Sequence, residues 1–192
     1  MKIIYYEVAK TPSTNAEAKK LMHLWDPKAL TVVTTQNQTA GKGKFGRDWK
    51  SSNRDIIVTY CFFITEMDID LSQLFRLGTK AVLMLTQELQ IPHATIKWPN
   101  DVLVQGEKLC GVLCETLPSQ GMLGIALGIG INANTLKEDL QNVGQPATSL
   151  QILLGYPVVL EHSLECLTTH FIRILEKDIA KVLATKTNFW NI

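Results

Sequence analysis

A glycine-rich, basic stretch between two apolar segments constrains the fold more than any other feature of this sequence. Residues 38–49 read Gln-Thr-Ala-Gly-Lys-Gly-Lys-Phe-Gly-Arg-Asp-Trp. Because glycine adopts positive φ without a steric penalty, Gly41, Gly43 and Gly46 predict a loop that folds tightly around a ligand. The same three glycines match Gly-x-Gly-x-x-Gly, the dinucleotide-binding pattern, which requires a strand before it and a helix after it.

The segment that follows the glycines does not fit the dinucleotide-binding arrangement. A strand-like run over 30–35 precedes them, but a polar stretch and then an apolar strand, 56–63, come next. Without the required helix, the sequence does not predict a nucleotide-binding βαβ unit. Lys42, Lys44 and Arg47 therefore leave two interpretations, a solvated basic hairpin or a loop that binds a nucleotide phosphate.

The composition is that of an ordinary globular domain. The 192 residues are 46% hydrophobic and carry a formal net charge of +1. This is enough chain for one sizeable core, and the near-neutral charge argues against general nucleic-acid binding. The sequence has no membrane-spanning apolar run, signal peptide, repeat or low-complexity linker, so we expect a single cytoplasmic domain over 1–192.

The cysteines predict neither disulfides nor a metal site. Cys61, Cys110, Cys114 and Cys166 form no Cys-x-x-Cys pair, and the four histidines have no metal-ligand spacing. Free cysteine behaves as a small hydrophobe, so we expect buried, reduced thiols.

The hydrophobic pattern predicts an α+β fold with a mixed sheet and flanking helices rather than a regular βαβ alternation. A capping-box spacing of Thr14 and Glu17 predicts a helix that runs to about Trp25. We expect further helices after Asp70, over 136–141 and after Pro146, and a final amphipathic helix over 160–184. The expected strands are 3–8, 30–35, 56–63, 95–98, 101–104, 108–116 and 122–131.

Three polar groups admit a structural or a functional interpretation. Ser13, Thr14 and Asn15 either cap the first helix or present polar groups to a ligand at its N-terminus. Lys108 begins an apolar strand three residues before a glycine, so its ammonium either enters a site or is solvated. Asn132 ends a glycine-containing strand and either forms a turn or meets a base edge.

Several of these motifs together resemble the biotin protein ligases. The stretch from Gly41 to Trp49 is similar to the family's Gly-Arg-Gly-Arg-x-Gly-Arg-x-Trp loop. Lys97-Trp-Pro-Asn-Asp101 and Lys108-Leu-Cys-Gly111 match two further motifs in the family order. Smaller matches are Ser13-Thr14-Asn15, Glu115, Gly128-Ile-Gly-Ile-Asn132 and Ala147-Thr-Ser-Leu150. The resemblance implies the catalytic fold shared by biotin and lipoate ligases and class II aminoacyl-tRNA synthetases.

The resemblance also implies a two-step reaction that uses biotin, ATP and Mg²⁺. Biotin's carboxylate attacks the α-phosphate of ATP to give biotinyl-5′-AMP and pyrophosphate. A specific lysine of the biotin carboxyl carrier protein of acetyl-CoA carboxylase then takes the biotinyl group. The alternatives are a lipoate or octanoate protein ligase of the same fold, and a non-catalytic biotin or nucleotide sensor.

The resemblance assigns roles to particular residues. Lys108, Arg47 and Asp101 are the expected catalytic residues, and Asp101 also stands as a candidate near Mg²⁺. The expected biotin-binding residues are Ser13, Thr14, Asn15, Gln38, Gly41, Lys42, Gly43, Lys44, Trp49, Lys108 and Gly111. The expected ATP-binding residues are Lys42, Lys44, Arg47, Trp49, Asn100, Lys108 and Asn132.

The chain departs from the family pattern in two respects. Lys42 and Lys44 replace arginines, and lysine lacks the planar fork that binds phosphate through two hydrogen bonds. We also expect no N-terminal helix-turn-helix domain and no C-terminal β-barrel, and therefore no repressor activity and no nucleic-acid or membrane partner. We expect a monomer or a homodimer.

Overall fold

A seven-stranded mixed sheet forms the centre of the protein. The computed structural model describes residues 1–65, 70–119, 121–141 and 143–184, and for residues 71 and 178–184 the backbone alone. The strand bounds are β1 Lys2–Val8, β2 Ala29–Thr35, β5 Ile56–Ile64, β6 Ala94–Lys97, β7 Asp101–Val104, β8 Glu107–Ser119 and β9 Met122–Ile131. The order of these strands across the sheet is β1-β2-β5-β9-β8-β7-β6.

The pairing of the strands confirms the predicted α+β class. β1 pairs with β2 in parallel, and every other neighbouring pair in this sheet is antiparallel. Consecutive strands after β5 are joined by short turns, apart from the crossover through α2. In the turn between β7 and β8, Gln105 and Gly106 both take positive φ, as a tight hairpin turn requires.

Helices cover both faces of the sheet. The helix bounds are α1 Thr14–Lys20, α2 Leu71–Glu88, α3 Lys137–Leu140, α4 Leu150–Leu154 and α5 Leu160–Ala184. α2 and α5 bury their apolar stripes against one face, where Tyr60 of β5 stacks on Phe171 of α5 with ring centroids 4.1 Å apart. On the other face, Ala18 of α1 and the following Trp25 pack against a smaller apolar cluster.

The beginnings and ends of the helices correct some of the predicted boundaries. Ser13, not Thr14, caps α1, because its Oγ accepts a hydrogen bond from the Ala16 backbone N–H at 3.0 Å. α1 ends at Lys20, and a 3₁₀ turn over Leu21–Leu24 replaces the predicted helix up to Trp25. Asp70 caps α2, because it accepts from the Ser72 hydroxyl at 2.6 Å and from the Ser72 backbone N–H at 2.8 Å, and these hydrogen bonds lower the pKa of its carboxyl.

The final helix follows the predicted bounds. On its apolar stripe, Leu167, Phe171, Ile174 and Leu175 are buried and Leu164 is partly buried. The side chain of Ile179 and the terminal Phe189 and Trp190 lie outside the described residues. Among the described helices, none combines the length and the apolar character needed to cross a membrane.

The cysteines are reduced, and three of the four are buried as predicted. Cys61, Cys110 and Cys114 are buried, and burial raises the pKa of each thiol, for Cys114 to about 12. Cys166 is partly exposed, which corrects the prediction of a fourth buried thiol. Its pKa is raised by its partial burial and by Glu88, whose Oε1 accepts from Cys166 Sγ at 3.4 Å.

We expect Cys166 to be the one cysteine of the folded protein that reacts readily with a thiol reagent such as Ellman's reagent. Cys166→Ser should remove that reaction. Because the raised pKa leaves little thiolate at pH 8, the rate should be below that of an unshielded thiol and should rise with pH. Glu88→Gln removes the negative neighbour and should accelerate the reaction at pH 8. A second thiol that reacts equally fast in the folded protein would contradict the structure.

Candidate active site

A cleft of about 360 Å³ opens on the α1 face of the sheet. Its walls are the N-terminus of α1, the basic stretch, the turn between β6 and β7, and the central strands β8 and β9. The predicted site residues that line it are Ser13, Thr14, Asn15, Gln38, Lys42, Gly43, Lys44, Arg47, Trp49, Asn100, Lys108 and Gly111. The structure thus brings together predicted residues from four separate parts of the chain.

The floor of the cleft is made by strand positions that have no side chain. Gly111 of β8 faces Gly130 of β9 across the strand pair. The indole of Trp49 lies on both. A Cβ on Gly111 would meet the ring at 2.9 Å, and one on Gly130 would meet it at 2.5 Å, which is too close for any real contact. The two glycines therefore decide where the Trp49 ring sits.

A third glycine of the floor, Gly128, allows the first helix, α1, to pack directly on the sheet. A Cβ on Gly128 would lie 2.3 Å from Asn15 Oδ1. Asn15 Oδ1 accepts from Thr59 Oγ1 at 2.7 Å, while its Nδ2 donates to Glu115 Oε2 at 2.9 Å. The amide of Asn15 is thus engaged on both sides within the protein, so it fixes α1 on the sheet and forms part of the cleft wall.

The residues beside Asn15 keep donors available for a ligand. Gln38 Oε1 accepts from the Thr14 backbone N–H at 3.0 Å, which ties the basic stretch to the start of α1. Within the described residues, neither the Gln38 amide nitrogen nor the Ser13 hydroxyl hydrogen has an acceptor. Gly41 is buried beside Gln38, and a Cβ there would lie 2.3 Å from Gln38 Nε2, so Gly41 does not itself line the cleft.

The basic stretch folds as a short hairpin, with strands β3 Gly41–Lys42 and β4 Asp48–Trp49. We call residues 41–49 the basic hairpin. Lys42 Nζ and Asp48 Oδ1 are 2.9 Å apart, and this hydrogen bond lowers the pKa of the Asp48 carboxyl. The Gly43 backbone N–H donates to Arg47 O at 2.7 Å. The hairpin therefore has an organised conformation of its own.

The tip of the basic hairpin departs from the predicted use of glycine. Of its three glycines, Gly46 alone takes positive φ, and Phe45 also does, at 61°. Lys44 Nζ lies 5.0 Å from the centroid of the Phe45 ring and 5.4 Å from that of Phe75 in α2. Arg47 Nε donates to Lys44 O at 3.2 Å. The two cations are thus held by neighbouring groups of the protein.

A β-bulge turns Lys108 into the cleft. Val102 of β7 faces Cys110 and Leu103 faces Lys108, so Leu109 is an extra residue in β8. Cys110 and Val112 point into the core, and strict alternation would send Lys108 the same way. Bulges re-aim side chains in this manner. As a result Lys108 lies on the cleft face, 5.5 Å from the Trp49 ring centroid.

Asp101 is the counter-ion of Lys108. Lys108 Nζ and Asp101 Oδ1 are 3.0 Å apart, with side chains only 12% and 11% exposed. The contact is an ion pair rather than a well-directed hydrogen bond, because Asp101 Oδ1 accepts none from the described residues. Asp101 stands behind Lys108 and does not line the cleft.

The two predicted asparagines have different surroundings. Asn100 lines the cleft, and its Nδ2 donates to Val112 O at 3.3 Å. Asn132 is buried outside the main cleft, where its Nδ2 donates to Thr148 O at 3.0 Å. It lines a second cavity of about 90 Å³ that shares Trp49 and Lys108 with the first. Within the described residues, its Oδ1 accepts no hydrogen bond.

Part of the cleft wall has no signal in the sequence. Val143, Gly144 and Gln145 line the main cleft, and Val143 and Gln145 line the second cavity as well. They belong to an irregular segment between α3 and α4, where no hydrophobic period or motif marks a site. Among the described residues, no three metal-ligating side chains are grouped so that they could hold a metal ion.

Comparison with known proteins assigns the chain to a family. A model of the biotin/lipoate A/B protein ligase family matches residues 7–132. The chain belongs to this family. The resemblance to biotin protein ligases noted in the sequence is thereby confirmed. The chain is 33% identical to the biotin–[acetyl-CoA-carboxylase] ligase of Paracoccus denitrificans over 174 residues, which are 86% of this chain and 70% of that protein.

Two further similarities show the extent of the match. The bifunctional ligase/repressor BirA of Bacillus subtilis is 32% identical over 173 residues, which are 85% of this chain but 52% of BirA. This chain therefore spans about half the length of that relative. The solved biotin protein ligase of Aquifex aeolicus, in complex with biotin and ATP, superposes with a TM-score of 0.72 at 27% identity. The match covers 94% of this chain and 73% of that one.

The contact between Trp49 and the glycine floor leads to a test by double-mutant cycle. Gly130→Ala should lower the free energy of unfolding by about 1–3 kcal/mol, because the new methyl group overlaps the Trp49 ring. The same substitution in a Trp49→Ala background should cost much less, since the overlapping ring is gone. Urea denaturation of the four proteins measures the coupling. Equal costs in the two backgrounds would show that the ring does not lie on Gly130.

Proposed function

We propose that this protein is an ATP-dependent biotin protein ligase that forms biotinyl-5′-AMP and then transfers biotin to a lysine of a carrier protein. The observation that carries the proposal is the placement of Lys108. A β-bulge and a carboxylate partner, Asp101, hold its ammonium on the wall of the cleft. The reaction brings together two anions, the biotin carboxylate and the ATP phosphates, and a cation already in place reduces their repulsion.

The end of the cleft near α1 suits the ureido ring of biotin. The carbonyl oxygen of that ring is a strong acceptor, and the free donors of Ser13 and Gln38 lie at this end. Thr14 adds a hydroxyl that is already paired with Thr59 Oγ1 at 2.8 Å. The Asn15 amide has no free donor or acceptor for a ligand, because it is hydrogen-bonded to Glu115 and Thr59. Its role is to hold α1 in place on the sheet.

The other parts of the cleft suit a nucleotide. Lys42, Lys44 and Arg47 of the basic hairpin provide three cations for phosphate oxygens. Trp49 lines both cavities, and its buried indole N–H has no acceptor among the described residues. In the second cavity, the free Oδ1 of Asn132 can accept from the amino group of adenine.

The first step is an in-line displacement at phosphorus. An oxygen of the biotin carboxylate forms a bond to the α-phosphorus of ATP while the bond to the pyrophosphate oxygen breaks. Negative charge grows on the phosphoryl oxygens, and fixed ammonium and guanidinium groups stabilise it. Lys108 is placed to do so, and the basic hairpin adds charge when it closes over the nucleotide and excludes water from the anhydride.

Mg²⁺ enters this scheme with ATP. The ion commonly keeps several waters and takes one or two carboxylates together with substrate phosphates. The absence of a three-ligand cluster in the described residues is compatible with this mode, and Asp101 is the nearest carboxylate to Lys108.

In the second step the amine of a carrier lysine attacks the acyl carbon of the anhydride, and AMP leaves. We propose the biotin carboxyl carrier protein of acetyl-CoA carboxylase as this substrate, on the strength of the Paracoccus relative's name. The cytoplasmic location and the choice between monomer and homodimer remain sequence predictions.

A competition experiment tests the choice of acid. A biotin-accepting carrier domain and a lipoate-accepting one are each incubated with this protein, MgATP and an equimolar mixture of biotin and lipoate, and their masses are measured. A gain of one biotinyl group by the biotin carrier alone supports the proposal. Preferential lipoylation would overturn it in favour of a lipoate ligase. Biotin binding without any biotin-dependent ATP–pyrophosphate exchange would favour a sensor.

We predict that Lys108→Ala lowers the rate of biotin-dependent ATP–pyrophosphate exchange by about 10²–10³-fold, because it removes the preorganised cation. Lys28→Ala, which removes an exposed lysine outside the cleft, is the matched control and should exchange at the normal rate. Circular dichroism should show that both variants are folded. An unchanged exchange rate in the folded Lys108→Ala protein would mean that another cation stabilises the transition state.

A further inference from the structure

The tip of the basic hairpin exposes a large aromatic side chain to solvent. Phe45 is 86% exposed, the highest value among the described large hydrophobic residues. Its φ of 61° lies in the left-handed region, which is uncommon for residues other than glycine and an outlier for a bulky one. Exposure and backbone conformation are therefore both unfavourable for Phe45 in the isolated protein, and such positions cluster at functional sites.

The side chain of Phe45 is directed away from the cleft. Lys44 and Arg47, on either side of it in sequence, line the cleft, whereas Phe45 does not. Gly46, next to it, has nothing within 4 Å of where a Cβ would be. The ring at the hairpin tip therefore lies outside the cleft and faces solvent.

The charges around Phe45 indicate what kind of surface it can meet. Lys44 Nζ lies 5.0 Å from the centroid of the Phe45 ring, Arg47 follows closely in sequence, and the one acidic residue of the hairpin, Asp48, is already paired with Lys42. An exposed aromatic ring among cations matches an apolar spot bordered by acidic side chains on a partner. Aromatic residues at such positions are frequent anchors of protein interfaces.

We propose that Phe45 is a docking residue for the acceptor protein in the second step. This rests on the proposed function, since it assumes an activated acyl group inside the cleft. The acceptor must bring its lysine amine to that group from solvent, past the hairpin tip. An acceptor whose surface packs on the Phe45 ring, close to the acceptor's own lysine, is thereby held near the cleft. Phe45 touches neither the acid nor the nucleotide, so it acts on transfer to protein alone.

Three reactions of the Phe45→Ala variant distinguish docking of the acceptor from a role in ligand binding or in adenylate formation. Phe45→Ala is compared with the unchanged protein in biotin-dependent ATP–pyrophosphate exchange, in discharge of preformed biotinyl-AMP by hydroxylamine, and in transfer to a carrier domain. The first two need no protein acceptor and should change less than about twofold. The kcat/KM for the carrier should fall about tenfold, mostly through KM, which corresponds to about 1.4 kcal/mol of lost docking.

Two further variants serve as controls. Phe45→Leu keeps a large apolar group and should retain most of the transfer activity. Tyr156→Ala removes an aromatic side chain that is 61% exposed but belongs to the segment between α4 and α5, so it should change none of the three reactions. Raising the salt concentration should weaken carrier transfer by the unchanged protein more than hydroxylamine discharge.

The outcomes distinguish the proposal from its rivals. A parallel fall of all three reactions in Phe45→Ala would assign Phe45 to hairpin closure and overturn the docking role. Normal transfer to the carrier would overturn it as well, and so would a change of sedimentation coefficient that shows Phe45 to be buried against a second copy. If the unchanged protein gives no exchange at all, the proposed function itself fails, which is visible before any variant is compared.

Discussion

The cleft depends on one packing constraint, which is that the face of β8 and β9 beneath it has no side chains where other elements must touch the sheet. Asn15 lies on Gly128, and the Trp49 ring lies on Gly111 and Gly130 at distances that any Cβ would block. Both walls are thereby set on the same floor, α1 through Asn15 and the basic hairpin through Trp49. Because protein interiors are close-packed, a methyl group added to this floor would displace a wall rather than fill a gap.

Much of the fold followed from local pattern, because its strands and helices obey simple periodicities. The apolar runs from Ile56 and from Met122 are strands, and the stripe after Asp70 is a helix whose Leu74, Leu77 and Leu85 are buried. The cleft residues were located by motif. What pattern could not supply is the order of the strands, because it is decided by long-range pairing.

The sequence misled where a contact between distant residues decides the local structure. Thr14 has the spacing of a helix cap, yet its hydroxyl pairs with Thr59 and Ser13 takes the cap. Lys108 sits in a strand whose alternation points it into the core, and only the bulge at Leu109 brings it to the cleft. Gln145 lies in a segment without period or motif, so nothing marked it. Thr14 pairs with Thr59 across 45 residues of chain, the bulge needs the register of β8 on β7, and Gln145 needs the assembled cleft, and local periodicity encodes none of these.

The ion pair between Lys108 and Asp101 also has a consequence for selectivity. A lone buried ammonium would attract any small anion in the cell, and inorganic phosphate is abundant. The Asp101 carboxylate, 3.0 Å away, offsets part of this attraction and leaves the ammonium charged and fixed in position. A stray phosphate gains little there, whereas an anion carried on a molecule that also fills the α1 end and the glycine floor has other contacts to hold it. Under the proposed function, the pair therefore favours the whole ligand over simple ions.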